Sequence, residues 1–140
     1  MLWCACESSQ DLSNEEIDAQ MTSDDGYFDE QVAAVYDDDA EMFDPAVVDP
    51  VVDFLADLAA EGDALEFGVG TGRIALPLAR RGVTVGGIDL SSAMLERLRS
   101  KQNGENVTVA VGDFSDTVVN GQFSLVYLVF NTIMNLTSQA

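Results

Sequence analysis

A short apolar run followed at once by alternating glycines constrains the fold of this chain more than any other feature. The run is residues 64–67, and glycine occupies every second position of residues 68–72. An apolar run that breaks at glycines is typical of a buried parallel strand entering a tight turn. Apolar residues at helical spacing follow and predict a helix from about Thr71 to Arg81. The pattern therefore predicts a strand, a turn and a helix, with the turn backbone free to approach a ligand at the helix N-terminus.

Strand and helix patterns alternate along the rest of the chain. Further strands are predicted at 83–89, 107–111 and 123–130, and a helix capped by Ser91 or Ser92 lies between the first two. This alternation predicts an α/β doubly wound, mostly parallel sheet with right-handed crossovers. Asn-Gly near position 120 also suits a two-residue hairpin. We favour an irregular connection there, with a small antiparallel ribbon as the alternative.

Two helices and a tail are predicted before the first strand. Residues 1–26 are polar, acidic and aperiodic, which is typical of a disordered tail. A short amphipathic helix runs from about Phe28 to Tyr36, and the acidic residues 37–39 that end it could frame a pocket mouth. A second helix is expected to begin at Pro50 and to stop at Gly62.

A carboxylate stands where a nucleoside ligand would need one. Asp89 follows Gly72 by 17 positions and ends the second predicted strand. An acidic residue at that place can accept hydrogen bonds from both ribose hydroxyls of an adenosine cofactor. The alternative is that Asp89 only caps the following helix.

The spacing of the glycines discriminates among adenosine cofactors. A dinucleotide-binding turn reads G-x-G-x-x-G, whereas here Arg73 stands at the position of the third glycine. Glu66 adds a carboxylate beside the turn, which is unfavourable next to a pyrophosphate and favourable next to a cation. A P-loop is excluded, because Gly-Lys-Ser/Thr does not follow and Lys101 is the only lysine. The residues favour a cationic adenosine ligand without phosphate.

Residues 65–79 and 87–95 together resemble the small bacterial class I S-adenosylmethionine-dependent methyltransferases, which have a Rossmann-like fold. The resemblance covers about Tyr27 to Leu136 and implies S-adenosyl-L-methionine as the cofactor. It implies that the glycine turn holds the methionine moiety and the ribose, and that the fourth strand ends beside the reactive methyl group. The cofactor-binding residues that it implies are Glu66, Gly68, Gly70, Thr71, Gly72, Asp89, Leu90, Met94, Asp113, Phe114, Asn131 and Tyr36.

Each of these residues also has a purely structural interpretation. Glu66 could be a solvated strand end, and Asp113 could only form a turn. Tyr36 could be a core aromatic at helical spacing, and Met94 with Leu95 could pack in the core. Arg73 is most simply a residue of the first helical turn. No catalytic residue is identified, because methyl transfer from a sulfonium depends mainly on orientation, desolvation and the protonation state of the nucleophile.

The uneven distribution of charge bears on the partner. The net charge is -19, and residues 1–72 hold 20 of the 25 acidic residues and no Lys or Arg. Such a field repels nucleic acids and anionic membranes. Asn-Pro-Pro-Tyr, a signature of methyltransferases acting on amino groups of nucleic acids and of glutamine, is absent at residues 131–134. We expect a cytoplasmic protein, a small-molecule acceptor and no metal site, since Cys4 and Cys6 have no histidine to share a metal with.

Length is the main departure from the resemblance. The family has seven strands in the order 3-2-1-4-5-7-6, and here only residues 131–140 follow the fourth predicted strand. We expect a truncated domain of residues 27–140, whose strand 123–130 is an exposed edge open to pairing with another chain. Three functions stay open: a methyltransferase, inactive or active in this form; a noncatalytic adenosine-binding or interaction module completed by a partner chain; and, more remotely, an NAD-dependent oxidoreductase.

Overall fold

The computed structural model of this chain describes residues 28–135. The predicted tail of residues 1–26, its two cysteines, Tyr27 and residues 136–140 lie outside the described residues. Four parallel strands form one sheet in the order β3-β2-β1-β4. The strands are β1 Ala64–Phe67, β2 Val85–Asp89, β3 Val107–Val111 and β4 Leu125–Tyr127. The predicted α/β fold is therefore confirmed, with the first strand in the interior of the sheet.

Two helices precede the sheet. Helix α1, Glu30–Val35, is the short helix that the sequence predicts. It is capped by the Asp29 carboxylate and continues as the 3-10 turn Tyr36–Asp38. Helix α2 is Pro45–Ala59, so the prediction that it begins at Pro50 is wrong. The Asp44 carboxylate accepts a hydrogen bond from the Ala46 backbone N–H at 2.8 Å. With Pro45 in the first turn, this cap begins the helix earlier, and the buried face of α2 offsets the one backbone hydrogen bond that Pro50 cannot donate.

Of the two helices between strands, the first is shorter than the apolar pattern indicates. Helix α3 is Ala75–Arg80, which begins four residues later than predicted. Residues 71–74 are in a turn instead, because Gly72 has φ +81°, outside the helical region. Helix α4 is Ser92–Ser100, and Ser91 caps it by accepting from the Met94 backbone N–H. The 3-10 turn Gly104–Asn106 leads into β3.

The core lies between the sheet and the helices α2, α3 and α4. Its largest fully buried side chains include Ile74, Leu78, Leu95 and Leu98, so Leu95 of the predicted core pair is indeed core.

Gly87 of β2 shows how tightly the turn packs on the sheet. A Cβ there would lie 2.7 Å from two carbon atoms of Val69. None of the helices among residues 28–135 is long and apolar enough to cross a membrane.

The end of the sheet differs from the prediction. Strand β4 has three residues rather than the eight of 123–130, and residues Phe130–Asn135 form a 3-10 helix. The strand cannot continue through Phe130, whose φ is +59°. At its other end, Ser124 is held outside the ladder, since its backbone N–H donates to the Asp63 carbonyl and its hydroxyl to the Ala59 carbonyl. The long apolar edge is therefore not formed, and the connection before β4 is irregular, as favoured over the hairpin.

Candidate functional site

The glycine turn is built from backbone that only glycine adopts without strain. Gly68, Gly70 and Gly72 have φ values of +69°, +53° and +81°. A Cβ on Gly68 would also clash with the methyl carbon of Thr132, so that side chain would have to move. The Gly68 and Val69 backbone N–H groups donate to the Ile88 carbonyl at 2.8 and 3.0 Å. These bonds fix the turn against the end of β2.

Asp89 joins the turn to the next helix. One oxygen of its carboxylate accepts from the Gly70 backbone N–H at 2.7 Å, and the other accepts from the Ser91 backbone N–H at 2.9 Å. Ser91, not Asp89, is the N-cap of α4, so the interpretation of Asp89 as a helix cap is wrong. The structure instead holds a carboxylate at the carboxyl end of β2, beside a glycine in the left-handed conformation.

A cavity of about 130 Å³ opens at this edge of the sheet. Its lining residues come from the N-terminal segment, the glycine turn, the ends of β2 and β3, helix α4 and the residues after β4. They are Phe28, Tyr36, Gly68, Gly70, Asp89, Leu90, Met94, Asp113, Phe114 and Thr132. Eight of the twelve predicted site residues thus come together around one cavity.

The remaining four predicted residues, Glu66, Thr71, Gly72 and Asn131, do not line this cavity. Glu66 and Thr71 are buried behind the turn, with 3% and 1% of their surface exposed. Gly72 packs against Leu76 and Leu98, where a Cβ would lie 3.0 Å from each side chain. Asn131 is exposed in the last 3-10 helix. Burial makes the interpretation of Glu66 as a solvated strand end wrong.

The Glu66 carboxyl has unusual electrostatics. Burial raises its pKa from the ordinary 4.5 to about 8, although a hydrogen bond from Tyr127 and the charge of Arg73 act in the opposite direction. The Tyr127 hydroxyl donates to Glu66 Oε2 at 3.0 Å. Burial beside this carboxyl also raises the pKa of Tyr127. At neutral pH the Glu66 carboxyl therefore favours its protonated form.

Asp113 and Phe114 lie in the turn after β3 and also line the cavity. The Asp113 carboxylate accepts from the Ser115 backbone N–H at 2.8 Å, which keeps the pKa of Asp113 below its ordinary value. Its role as a turn former is thus present, and the same residue lines the cavity. The Phe114 ring stacks on Phe67 with centroids 5.4 Å apart and planes 10° apart. This stack holds an aromatic ring at the cavity wall.

Arg73 lies at a junction that its sequence position did not reveal. Its guanidinium carbon lies 3.3 Å from the centroid of the Phe130 ring and 5.9 Å from that of Phe43. It also donates to the Met42 carbonyl at 3.3 Å. Arg73 thus links the turn to the segment before α2 and to the last 3-10 helix.

The sequence interpretation missed several further residues near the turn. Phe28 and Thr132 line the cavity; Phe28 was predicted only as part of an amphipathic helix, and Thr132 belongs to no recognisable pattern. Asp37 accepts hydrogen bonds from Thr71 and Lys101, which are 34 and 64 positions away. The only available signal was the run of aspartates after the first helix, which suggested a pocket mouth but not these partners. No group of three or more metal-ligand side chains lies within residues 28–135.

Comparison with known proteins assigns a family. Residues 64–140 match the protein family described as "Methyltransferase domain". An "Uncharacterized methyltransferase" of Geobacillus thermodenitrificans is 37% identical over 91 residues, which cover 61% of this chain and 41% of that protein. A "Probable ribosomal RNA small subunit methyltransferase A" of Pyrobaculum aerophilum is 42% identical over 64 residues, 45% of this chain and 28% of that protein.

A solved structure agrees with these relatives. The CcbJ methyltransferase from Streptomyces caelestis is 41% identical, with a TM-score of 0.56, over 61% of this chain and 38% of that chain. This chain therefore spans less than half the length of the relatives that it matches. The family match of residues 64–140 includes all four strands and the glycine turn.

Proposed function

This chain belongs to the methyltransferase domain family of class I S-adenosylmethionine-dependent enzymes, and we propose that it binds S-adenosyl-L-methionine in the cavity beside Asp89. We propose further that the whole protein transfers the cofactor's methyl group to a small-molecule acceptor. Family membership supports the cofactor and the reaction class.

The charge of the cavity is the observation that carries the choice of ligand. Asp89 and Asp113 line it, whereas none of its lining residues in the described part of the chain is Lys or Arg. A pyrophosphate would meet two carboxylates and no cation, which is electrostatically unfavourable. A nucleoside that carries a sulfonium and an ammonium and no phosphate suits this lining. The residues therefore fit S-adenosylmethionine better than a dinucleotide.

The lining divides into groups that suit different parts of the cofactor. Asp89 would accept hydrogen bonds from the ribose hydroxyls, and the glycine turn lets the ligand approach the backbone. Leu90, Met94 and Phe114 provide apolar surface for the adenine, and Asp113 an acceptor for its amino group. Tyr36 lines the cavity from the N-terminal segment. The cavity is smaller than the roughly 300 to 1,000 Å³ typical of ligand pockets.

The bound cofactor would supply a methyl group on a positively charged sulfur, which an acceptor displaces in line. The residues described here would bind and orient the nucleoside and exclude water from it. We propose no catalytic base from this chain. Asn131, predicted to lie near the methyl group, is exposed beside Thr132, which does line the cavity. We retain Asn131 as a proposed contact of the bound cofactor, because its neighbour Thr132 lines the cavity.

Net charge supports the proposed acceptor class. Residues 1–72 carry no Lys or Arg, so they offer no basic surface for a nucleic acid or an anionic membrane. The relative from Pyrobaculum aerophilum is named as an rRNA methyltransferase and makes RNA the alternative acceptor. On the balance of charge, we propose that the methyl acceptor is a small molecule. We also propose that the protein is cytoplasmic.

A second candidate function is a noncatalytic adenosine-binding module completed by a partner strand. It is favoured by β4, which lies at the edge of the described sheet with Val126 52% exposed. The edge is short, since only Leu125–Tyr127 are in the strand. This module would bind the cofactor through the same cavity without turnover.

Calorimetric titration of the 140-residue chain with S-adenosylmethionine, S-adenosylhomocysteine and NAD tests the proposal. We expect both sulfur ligands to bind and NAD not to bind. Binding of NAD alone would contradict the ligand assignment and favour the remote alternative of an oxidoreductase. Cofactor binding without methyl transfer to any member of a small-molecule or RNA acceptor panel would favour the noncatalytic module.

A further inference from the structure

Residues 28–38 cross one side of the cavity, and we call them the strap. The strap consists of Phe28, Asp29, helix α1 and the 3-10 turn that follows it. Phe28 and Tyr36 both line the cavity and contact each other edge to face, with ring centroids 6.1 Å apart. The position of the strap therefore sets how far the cavity is covered.

Apolar burial holds the strap only weakly. Ala33 is the one buried residue among residues 28–38, and Val35 is 59% exposed. A helix of six residues is too short to be stable by itself. Segments with few buried apolar contacts open at low free-energy cost. Other contacts must fix the strap against the rest of the domain.

Asp37 provides such contacts at the end of the strap. Its carboxylate accepts from the Thr71 hydroxyl at 2.7 Å and from Arg97 Nε at 3.1 Å. Lys101 Nζ lies 2.9 Å from both of its oxygens. The side chain is only 16% exposed. Burial alone would raise the pKa of Asp37, but the hydrogen bonds from Thr71 and Lys101 outweigh it, so the carboxylate stays ionised.

The same cluster also fixes the glycine turn. Lys101 Nζ donates to the Thr71 carbonyl at 2.7 Å. The hydroxyl and the carbonyl of Thr71 are thus both bonded to the cluster. The neighbouring residue Gly70 donates its N–H to Asp89. At the other end of the strap, the Ser91 hydroxyl donates to the Phe28 carbonyl. The strap is therefore fixed at both ends to the elements that form the cavity.

We propose that Asp37 is a positioning residue that pins the strap over the cavity and holds Thr71 of the glycine turn in place. Retention of the nucleoside then depends on a carboxylate that does not line the cavity. The identity of the ligand rests on the proposed function, whereas the attachment of the strap does not. This difference allows the two to be tested separately.

The test compares Asp37→Asn with Asp38→Asn in the 140-residue chain. Both variants remove one negative charge from the same 3-10 turn, but Asp38 is exposed, whereas the half-buried Asp37 is the residue that bonds to Thr71 and Lys101. The first measurement is amide hydrogen exchange of the strap without ligand, and the second is the dissociation rate of S-adenosylhomocysteine. We expect Asp37→Asn to accelerate both about 10-fold or more, and Asp38→Asn to change each by less than about 2-fold.

A further pair of variants separates this role from a general loss of stability. Lys101→Gln is expected to accelerate the same two processes. Because Asp37 and Lys101 belong to one cluster, the double variant Asp37→Asn with Lys101→Gln should exchange and release ligand no faster than the more severe single variant. Exchange of the β1 and β2 amides should not change. Uniformly faster exchange across the sheet would mean a structural role only and would overturn the proposal.

The outcomes distinguish the two proposals. If the wild-type chain does not bind S-adenosylhomocysteine, yet Asp37→Asn frees the strap, the positioning role stands and the proposed function fails. If the chain binds the ligand and both aspartate variants behave as the wild type in exchange and dissociation, the positioning role is overturned and the proposed function stands. Should Asp37→Asn fail to fold, Lys101→Gln provides the same comparison.

Discussion

Replacing Glu66 with glutamine removes a buried carboxyl whose charged form is disfavoured by its surroundings. The substitution keeps the shape of the side chain and leaves an amide oxygen to accept the hydrogen bond from Tyr127. It removes the ionisation of a carboxyl whose pKa burial raises to about 8. We therefore expect Glu66→Gln to become progressively more stable than the wild type as the pH rises.

The sign and size of the effect follow from proton linkage. Because the pKa of Glu66 is higher in the folded state, the folded chain keeps a proton that the unfolded chain releases. The contribution of the protonated Glu66 carboxyl to the free energy of unfolding is therefore complete below pH 4.5 and is lost as the pH rises through about 8. The loss has a slope of about 1.4 kcal/mol per pH unit. Between pH 5 and pH 9 the wild type should lose about 4 kcal/mol relative to Glu66→Gln, a large fraction of a typical domain's stability.

Urea unfolding of the two proteins at unit pH steps from 5 to 9 measures this difference. Glu61→Gln is the matched control, because Glu61 is exposed and the same chemical change should leave the difference from the wild type near zero at every pH. A constant difference between Glu66→Gln and the wild type from pH 5 to pH 9 would refute the reasoning. It would mean that the Glu66 carboxyl is ionised in the folded chain throughout.

Two further predictions concern the packing around the turn. Gly87→Ala should destabilise the chain by about 1 to 3 kcal/mol in thermal unfolding, because its methyl group would meet Val69, and the additional change Val69→Ala should recover part of the loss. Ser91→Ala should cost about 1 kcal/mol, since it removes both the cap on the Met94 N–H and the hydrogen bond to the Phe28 carbonyl; a change within experimental error would contradict the assigned cap.

The elements around the glycine turn could be predicted because their signals are local. The apolar run, the glycines and the apolar residues of α3 are adjacent in the sequence, and Asp89 lies at the end of a recognisable strand. The carboxyl ends of neighbouring parallel strands meet at one edge of a sheet, which brings the residues after β2 and β3 to the same cavity. The strand order around β1 followed from the resemblance to the family.

Features that depend on a choice between two plausible local structures, or on contacts between distant residues, could not be predicted in this way. Pro45 and Pro50 both follow an aspartate and are both acceptable helix starts; in the structure Asp44 caps the helix, whereas Asp49 pairs with Arg81. The positive φ of Phe130, which accompanies the end of β4, has no signal in an apolar run that favours a strand. The contacts of Asp37 with Thr71 and Lys101 join distant parts of the chain. Such contacts leave no periodic pattern.

The affinity of the chain for S-adenosylhomocysteine, with and without the Asp89 carboxylate, tests the central claim most directly. In isothermal titration, we expect the wild type to bind and Asp89→Ala to bind more weakly by about 1.5 to 3 kcal/mol, the range for hydrogen bonds to a charged group. Asp116→Ala is the control, because Asp116 is exposed and does not line the cavity. Equal affinities of the wild type and Asp89→Ala would contradict the assignment of this cavity to the nucleoside of the cofactor.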